Sequence, residues 1–386
     1  MNASLPLLPS LALLLLLAGL GARLCRRIGL PGVLAALAAG LIVGPSMLGW
    51  VAPSSIITSL GGLGAIALLF VAGLDTRLDA LLEVGRAAVL AASFGVALSF
   101  LGGLAVGRAT GVDPLGAMFL GAALSATSVS VSVEALRDRR RLDSPAGLCV
   151  LGAAVIDDVL GVLALGAVVA LAGAERPPLR LAGTLVYLPI AWLVGRWALH
   201  AAATRGWLAH ASRAALPIWL GVLLAYAWMA EAIGGLAPIT GAYLLGVLIA
   251  REVGTGWPLR EDAAAVGHAL LIPLFFAAIG LQAELSAVLR QPALGALLFL
   301  ISVVAKLLGC AAGARLGGLA TREAVMVGVG MVPRGEIALI VAGAGLGTGM
   351  MTRETFSALV ALVFLTTVAT PLAIRLTTSR HAERPA

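Results

Sequence analysis

The chain has 386 residues, 60% of them apolar and 12% charged, with a formal net charge of +7. Soluble domains carry about 25% charged residues, so a soluble globular fold is excluded. The 48 glycines keep no three-residue period and no long stretch alternates like a barrel strand, which excludes collagen and a lipid-facing barrel.

Apolar runs recur from end to end, each long enough to cross the roughly 30 Å hydrocarbon layer as a helix. Thirteen are read: 5–21, 31–49, 55–74, 87–106, 113–133, 146–171, 181–199, 214–232, 234–250, 263–282, 292–313, 323–346 and 355–374. Nothing basic precedes Arg23, so the first run reads as a retained span rather than a secretory signal. With the N-terminus outside, the inward-facing joints hold 19 arginines, counting Arg196 at the inner end of span 7, and the outward-facing joints 5. That bias fits positive-inside sorting and an odd number of spans, and it removes the basic charge as an argument for nucleic acid. Cys25, Cys149 and Cys310 are scattered, with no metal-ligand spacing, and read as small packing residues.

Six spans, one linker span and six more give two halves that enter the membrane in opposite senses, the inverted-repeat pattern of secondary transporters. The polar residues inside the spans sharpen this. In span 5, Leu124–Val133 carries Ser125, Thr127, Ser128, Ser130 and Ser132, whose hydroxyls can satisfy freed backbone groups or ligate a cation. The helix is expected to unwind around Ala126–Ser130. In span 6, Asp157 and Asp158 stand side by side near mid-depth. One aspartate at the bilayer centre costs roughly 2.5–3.5 kcal/mol on insertion scales, so two together point to a cation or proton site. Neighbours on a helix lie about 100° apart, so one carboxylate can meet a protein partner while the other faces a cavity.

Span 11 holds Lys306, the only lysine of the chain. An ammonium in a poorly solvated site has a tunable charge, which a guanidinium lacks. Asp157 or Asp158 is its natural partner. Span 12 contains Gly328-Val-Gly-Met-Val-Pro-Arg-Gly-Glu336. Pro333 removes a helix hydrogen bond and the glycines loosen the backbone, so a second break is expected. Arg334 and Glu336 would compensate the exposed helix ends or act as a structural pair. Spans 5 and 12 hold equivalent places in the two halves, which predicts two crossed, discontinuous helices around a central carboxylate site. The fold class is thus all-α and polytopic, with about 13 transmembrane helices in inverted repeats.

Other features rank lower. Pro273 is expected to bend span 10, and His268 reads as a packing or surface histidine. Asp75 with Arg77, and Glu134 with Arg137, read as charges at span ends; Glu231 lies near the outer end of span 8. The Gly40–Gly44 spacing suggests close helix packing, within the chain or between subunits. About ten residues follow Arg375, read as a short cytoplasmic tail without a nucleotide-binding unit. There is no GxxxxGK[ST] segment and no clustered nucleophile–histidine set, so neither ATP-driven transport nor an enzyme is expected.

On the segments Pro31–Gly49, Ser125–Val133, Val155–Val159, Pro273–Gly280, Lys306–Cys310 and Gly328–Glu336, the sequence resembles the monovalent cation:proton antiporter superfamily. The likeness runs over nearly the whole chain. It is nearest to bacterial Nap-type sodium/proton antiporters and the membrane domain of Kef-type potassium-efflux proteins. The resemblance implies a core domain at 87–171 and 292–374, a homodimer domain at 1–74 and 214–282, a linker helix at 181–199 and a tail at 375–386. It implies Asp158 as the monovalent cation ligand and Asp157 as the aspartate that pairs with Lys306. Thr127 and Ser128 match the polar unwound segment, and Glu336 a charged residue near the second break. Many Kef-type members carry Gln-Asp where this chain has Asp157-Asp158, which favours a sodium/proton exchanger.

The implied function is secondary active, electrogenic exchange of Na+, or Li+ or K+, for H+ by alternating access in a bacterial inner membrane. Lipid surrounds the protein, the two ions are substrates, and no cofactor is expected. The alternative is a K+ efflux transporter or channel of Kef type.

Overall fold

A computed structural model of the chain describes residues 5–28, 30–76, 85–138, 140–172, 177–204, 213–253, 257 and 259–379. Among them every regular element is helical. The first half comprises α1 Leu7–Arg27, α2 Val33–Val43, α3 Ser55–Asp75, α4 Arg86–Ala109, α5 Pro114–Ser125, α6 Val129–Asp138 and α7 Pro145–Ala172. Then come α8 Pro177–Thr204, α9 Leu216–Ala232, α10 Pro238–Val253 and α11 Arg260–Gln282. The last part holds α12 Leu285–Arg290, α13 Pro292–Leu316, α14 Thr321–Gly330, α15 Glu336–Gly347 and α16 Arg353–Ser379. Seven of the described helices are long and apolar enough to cross a membrane, and shorter apolar helices such as α2, α5, α9 and α15 lie among them. The chain is an all-helical, multi-pass membrane protein.

Helices coincide with the apolar runs, and local chemistry sets their ends. Ser54 caps α3 by accepting from the Ile57 amide. Asp113 caps α5 through Leu115 and Gly116, with Pro114 in the first turn where its missing N–H costs nothing. The second run, expected over 31–49, is helical only to Val43. Pro45 cannot continue a helix, and the chain turns through Gly44–Leu48. Pro273 acts differently from a simple bend: a π-helical turn, Gly267–Leu271, precedes it and absorbs the lost hydrogen bond inside α11.

Two sets of helices emerge from the packing. In one, α4 lies along α13, and α5, α6 and α7 pack with α14, α15 and α16. In the other, α3 lies along α10, α2 along α11, and α1 and α9 cover them. Helix α8 touches both, through α7 and α10. Small residues bring the backbones together, since lipid gives apolar side chains no reason to prefer each other. At the α3–α10 crossing Gly73 faces Gly246; a Cβ on Gly246 would lie 2.9 Å from the Gly73 Cα and overlap the Phe70 carbonyl. Gly40 and Gly44 pack within the chain against Ala277 and Leu281 of α11, so their spacing serves an intrachain contact. Asp75 pairs with Arg260, 185 positions along the chain; Arg77 lies outside the described residues. The side chains of Glu134 and Arg137 also lie outside them. His268 is exposed.

Candidate ion-binding site

The two interrupted helices cross at their breaks. The first break is Ala126–Ser128, between α5 and α6; the second is Met331–Gly335, between α14 and α15. The first is shorter than expected. Val129 and Ser130 already belong to α6, and the Ser130 side chain lies outside the described residues. Each break supplies what the other lacks, which is why three residues suffice. The Ser128 amide donates to the Pro333 carbonyl at 2.9 Å. Thr127 Oγ1 donates to Met331 O at 3.4 Å and Ser132 Oγ to Gly330 O at 2.5 Å, filling carbonyls left at the end of α14. Backbone that is not helical at membrane depth is thereby satisfied inside the protein.

The C-terminal end of α5 presents unpaired carbonyls and partial negative charge. Two cations meet it. Lys306 Nζ donates to Ser125 O at 2.6 Å, and Arg334 Nη1 donates to Ala126 O at 2.9 Å. Both side chains are fully buried. The Arg334 fork also holds α13: Nε donates to Ser302 Oγ at 2.9 Å and Nη2 to Ser302 O at 2.8 Å. Its main chain is fixed by α16, where Thr366 Oγ1 accepts from the Arg334 amide at 3.2 Å and Thr367 Oγ1 donates to the Arg334 carbonyl at 3.0 Å. Arg334 and Glu336 form no ion pair with each other among the described residues. Proline at 333 ends the helix before them, and the arginine side chain is spent on α5 and α13. Glu336, half-buried, begins α15 and is hydrogen-bonded by the Ser128 side chain. A carboxylate at a helix N-terminus is favourably placed. A water-sized cavity of about 10 Å³ is lined by Ser128, Arg334, Gly335 and Glu336.

Helix α7 runs past this crossing and carries both aspartates. Asp157 is sealed, 1% exposed, and its Oδ1 accepts from Lys306 Nζ at 2.5 Å. Its Oδ2 is buried with no hydrogen-bond partner among the described residues. Asp158, one residue on and turned about 100° away, is half-buried and retains accessible surface. The charges bearing on Asp158 are those of Asp157, Glu336 and Lys306. Gly95 on α4 makes room for Cys310, one turn from the lysine: a Cβ there would overlap Cys310 Sγ, while Lys306 Cδ would be in ordinary contact at 3.5 Å.

The structure thus gathers Asp157, Asp158, Lys306, Thr127, Ser128, Pro333, Arg334 and Glu336 around one crossing. Sequence reasoning missed Ser302, Thr366 and Thr367. A signal existed for Ser302, which stands four residues before Lys306 and so on the same face of α13. Chemically, the arrangement offers one carboxylate fixed to an ammonium and a second open to exchange, with hydroxyl oxygens suited to a hard cation nearby.

A family profile described as "Sodium/hydrogen exchanger, transmembrane" matches residues 12–379. The chain is 34% identical over 371 residues to the Na(+)/H(+)-K(+) antiporter GerN of Bacillus cereus, covering 95% of each chain. It is 31% identical over 375 residues to a Na(+)/H(+) antiporter of Enterococcus hirae, covering 96% of this chain and 97% of that one. In fold it is similar to the sodium proton antiporter MjNhaP1 of Methanocaldococcus jannaschii, with a TM-score of 0.70 at 18% identity, over 98% of this chain and 99% of the other. The family match spans nearly the full length, and so do both relatives: the chain belongs to the transmembrane sodium/hydrogen exchanger family.

Proposed function

We propose that this chain exchanges sodium ions for protons, with Asp158 as the carboxylate that holds either one. The observation that carries the reading is the division between two adjacent aspartates. Asp157 is sealed onto Lys306, while Asp158 keeps accessible surface beside two interrupted helices. One carboxylate cannot favourably hold a proton and a cation together. Competition for it couples two fluxes, and a gradient of either ion drives the other. Thr127 and Ser128, in the first break, are the hydroxyls this reading assigns to the cation beside Asp158.

Asp157 and Lys306 supply the second proton in this scheme. When the cation occupies Asp158, the Asp157–Lys306 pair loosens and the ammonium releases a proton. Two protons then move per sodium ion, and the exchange carries net charge. The helices α4–α7 and α13–α16 form the moving core, supported by their mutual packing. Segments 1–74 and 214–282 form the fixed part and pair in a homodimer, with α8 as linker. In this reading the N-terminus is outside and the C-terminus in the cytoplasm, in a bacterial inner membrane; the arginine bias supports that orientation. The Bacillus cereus relative is named for potassium as well as sodium, and this favours K+ as a second cation for the same site.

The direct test is Asp158→Asn in proteoliposomes. Sodium-dependent proton movement falls to the level of protein-free vesicles while the protein remains folded. Retained exchange at the normal rate would end the assignment of Asp158.

A further inference from the structure

A second feature lies in the seam where α7 meets α8 and α10, and it reaches Val159, the neighbour of Asp158. A cavity of about 160 Å³ opens there, bordered by Val162 and Leu163 of α7, Leu188 and Trp192 of α8, and Leu244 and Val247 of α10. Val162 stands one helical turn beyond Asp158. The accessible wall is apolar throughout. The hydroxyls nearest to it are withdrawn: Thr76 Oγ1 donates to Ala72 O at 2.9 Å and accepts from Tyr243 Oη at 3.1 Å, and Thr240 Oγ1 is buried. A void of about 150 Å³ with carbon walls stays dry and accepts an apolar ligand the size of benzene. Among its bordering residues Leu163 is the exposed one, at 44%, which puts the mouth beside it; the exposed side of an apolar span meets lipid.

Trp192 joins this cavity to a charged cluster. Its ring lies under the Arg251 guanidinium, 5.5 Å from centroid to Cζ. One turn further along α8, Arg196 Nε meets Glu252 Oε1 at 3.0 Å, and His200 Nδ1 lies 3.9 Å from Glu252 Oε2. Glu252 is thus engaged by α8. Arg251 is exposed, and no carboxylate pairs with it among the described residues. The cluster has two guanidinium groups for one carboxylate. An excess of positive charge directly beside a lipid-facing apolar pocket complements a headgroup of negative charge with a hydrocarbon tail. A tryptophan at the junction is the residue that suits a boundary between the two.

We propose that this seam binds an anionic phospholipid, with its phosphate on Arg251 and Arg196 and part of one acyl chain in the cavity against Trp192. The chain then lies against the helix that carries the aspartates. This site stands independently of the role given to Asp158.

The test uses the full chain in nanodiscs with phosphatidylglycerol or phosphatidylcholine bearing a photoactivatable acyl chain, followed by mapping of labelled peptides. Labelling by the anionic lipid is expected at residues 188–192 and 244–247, well above that by the zwitterionic one. Arg251→Gln lowers it about fivefold, since one arginine near a lipid surface contributes about 1 kcal/mol. Leu163→Trp, which plugs the mouth, removes the labelling within the seam. Arg251 is exposed, so its variant tests the headgroup contact even if the plugged variant folds poorly. Equal labelling by both lipids, labelling absent from these segments, or wild-type labelling in Arg251→Gln would overturn the proposal.

Discussion

Replacing Lys306 with glutamine strands a carboxylate in the interior. Asp157 Oδ1 loses its 2.5 Å partner, and Oδ2 has none among the described residues. Removing one member of a buried ion pair costs about 3–5 kcal/mol, because the survivor stays desolvated without compensation. Asp157→Asn is costly for the mirror reason: the ammonium keeps only the Ser125 carbonyl, at 2.6 Å. Combining the two substitutions removes both charges and leaves two amides that can bond each other. Replacing a buried pair with uncharged groups is often neutral, so the double variant should lie near the wild type rather than about 6–10 kcal/mol below it. The measurement is a double-mutant cycle on unfolding in mixed micelles, followed by far-ultraviolet circular dichroism. The reasoning fails if Lys306→Gln unfolds at the wild-type midpoint, or if the two single losses simply add.

Three further outcomes are expected. Arg334→Lys replaces a fork that spans Ser302 and Ala126 with a single point of charge, so at least one buried carbonyl is left bare. The cost is about 1.5–3 kcal/mol, read as a lower melting temperature; an unchanged melt counts against the clamp. Gly246→Ala pushes a methyl into the Phe70 carbonyl and toward the Gly73 Cα, both backbone, so α3 and α10 must separate. Overpacking of this kind costs about 1–3 kcal/mol, and a variant as stable as the parent would show that the contact has slack. Exchange of two protons per sodium ion moves one net charge, worth about 2.3 kcal/mol per 100 mV. Transport reversal should therefore shift with clamped potential, and one-for-one exchange indifferent to voltage rejects that stoichiometry.

What could be read from the sequence was what violates the local rule of the bilayer. Asp157, Asp158 and Lys306 stand out because charge within an apolar run is costly wherever the run folds. Pro333 and its glycines announce a break because the missing N–H acts on its own helix. The partners were another matter. Ser302, Thr366 and Thr367 look like ordinary small polar residues in a span, and only the assembled fold brings them to Arg334. The Ser125 and Ala126 carbonyls have no side-chain signature at all, since every residue carries one. The extent of the first break is hidden from the sequence for the same reason. The serine run suggests loosening through Ser130, but the amide that settles the question, that of Ser128, finds its partner 205 positions away at Pro333. The Gly40–Gly44 spacing likewise marks a close approach without naming the surface approached.

The Lys306 ammonium grips a main-chain oxygen as well as a carboxylate, and this has a bearing on how readily it can let go. A cation tethered only to Asp157 would be cast adrift whenever that aspartate turned elsewhere, and the barrier would be steep. Ser125 O gives it a neutral mooring that survives the parting. In the proposed exchange the lysine changes partner, or sheds its proton, without leaving its berth, and the second contact lowers the threshold in a medium where few charges have another place to stand.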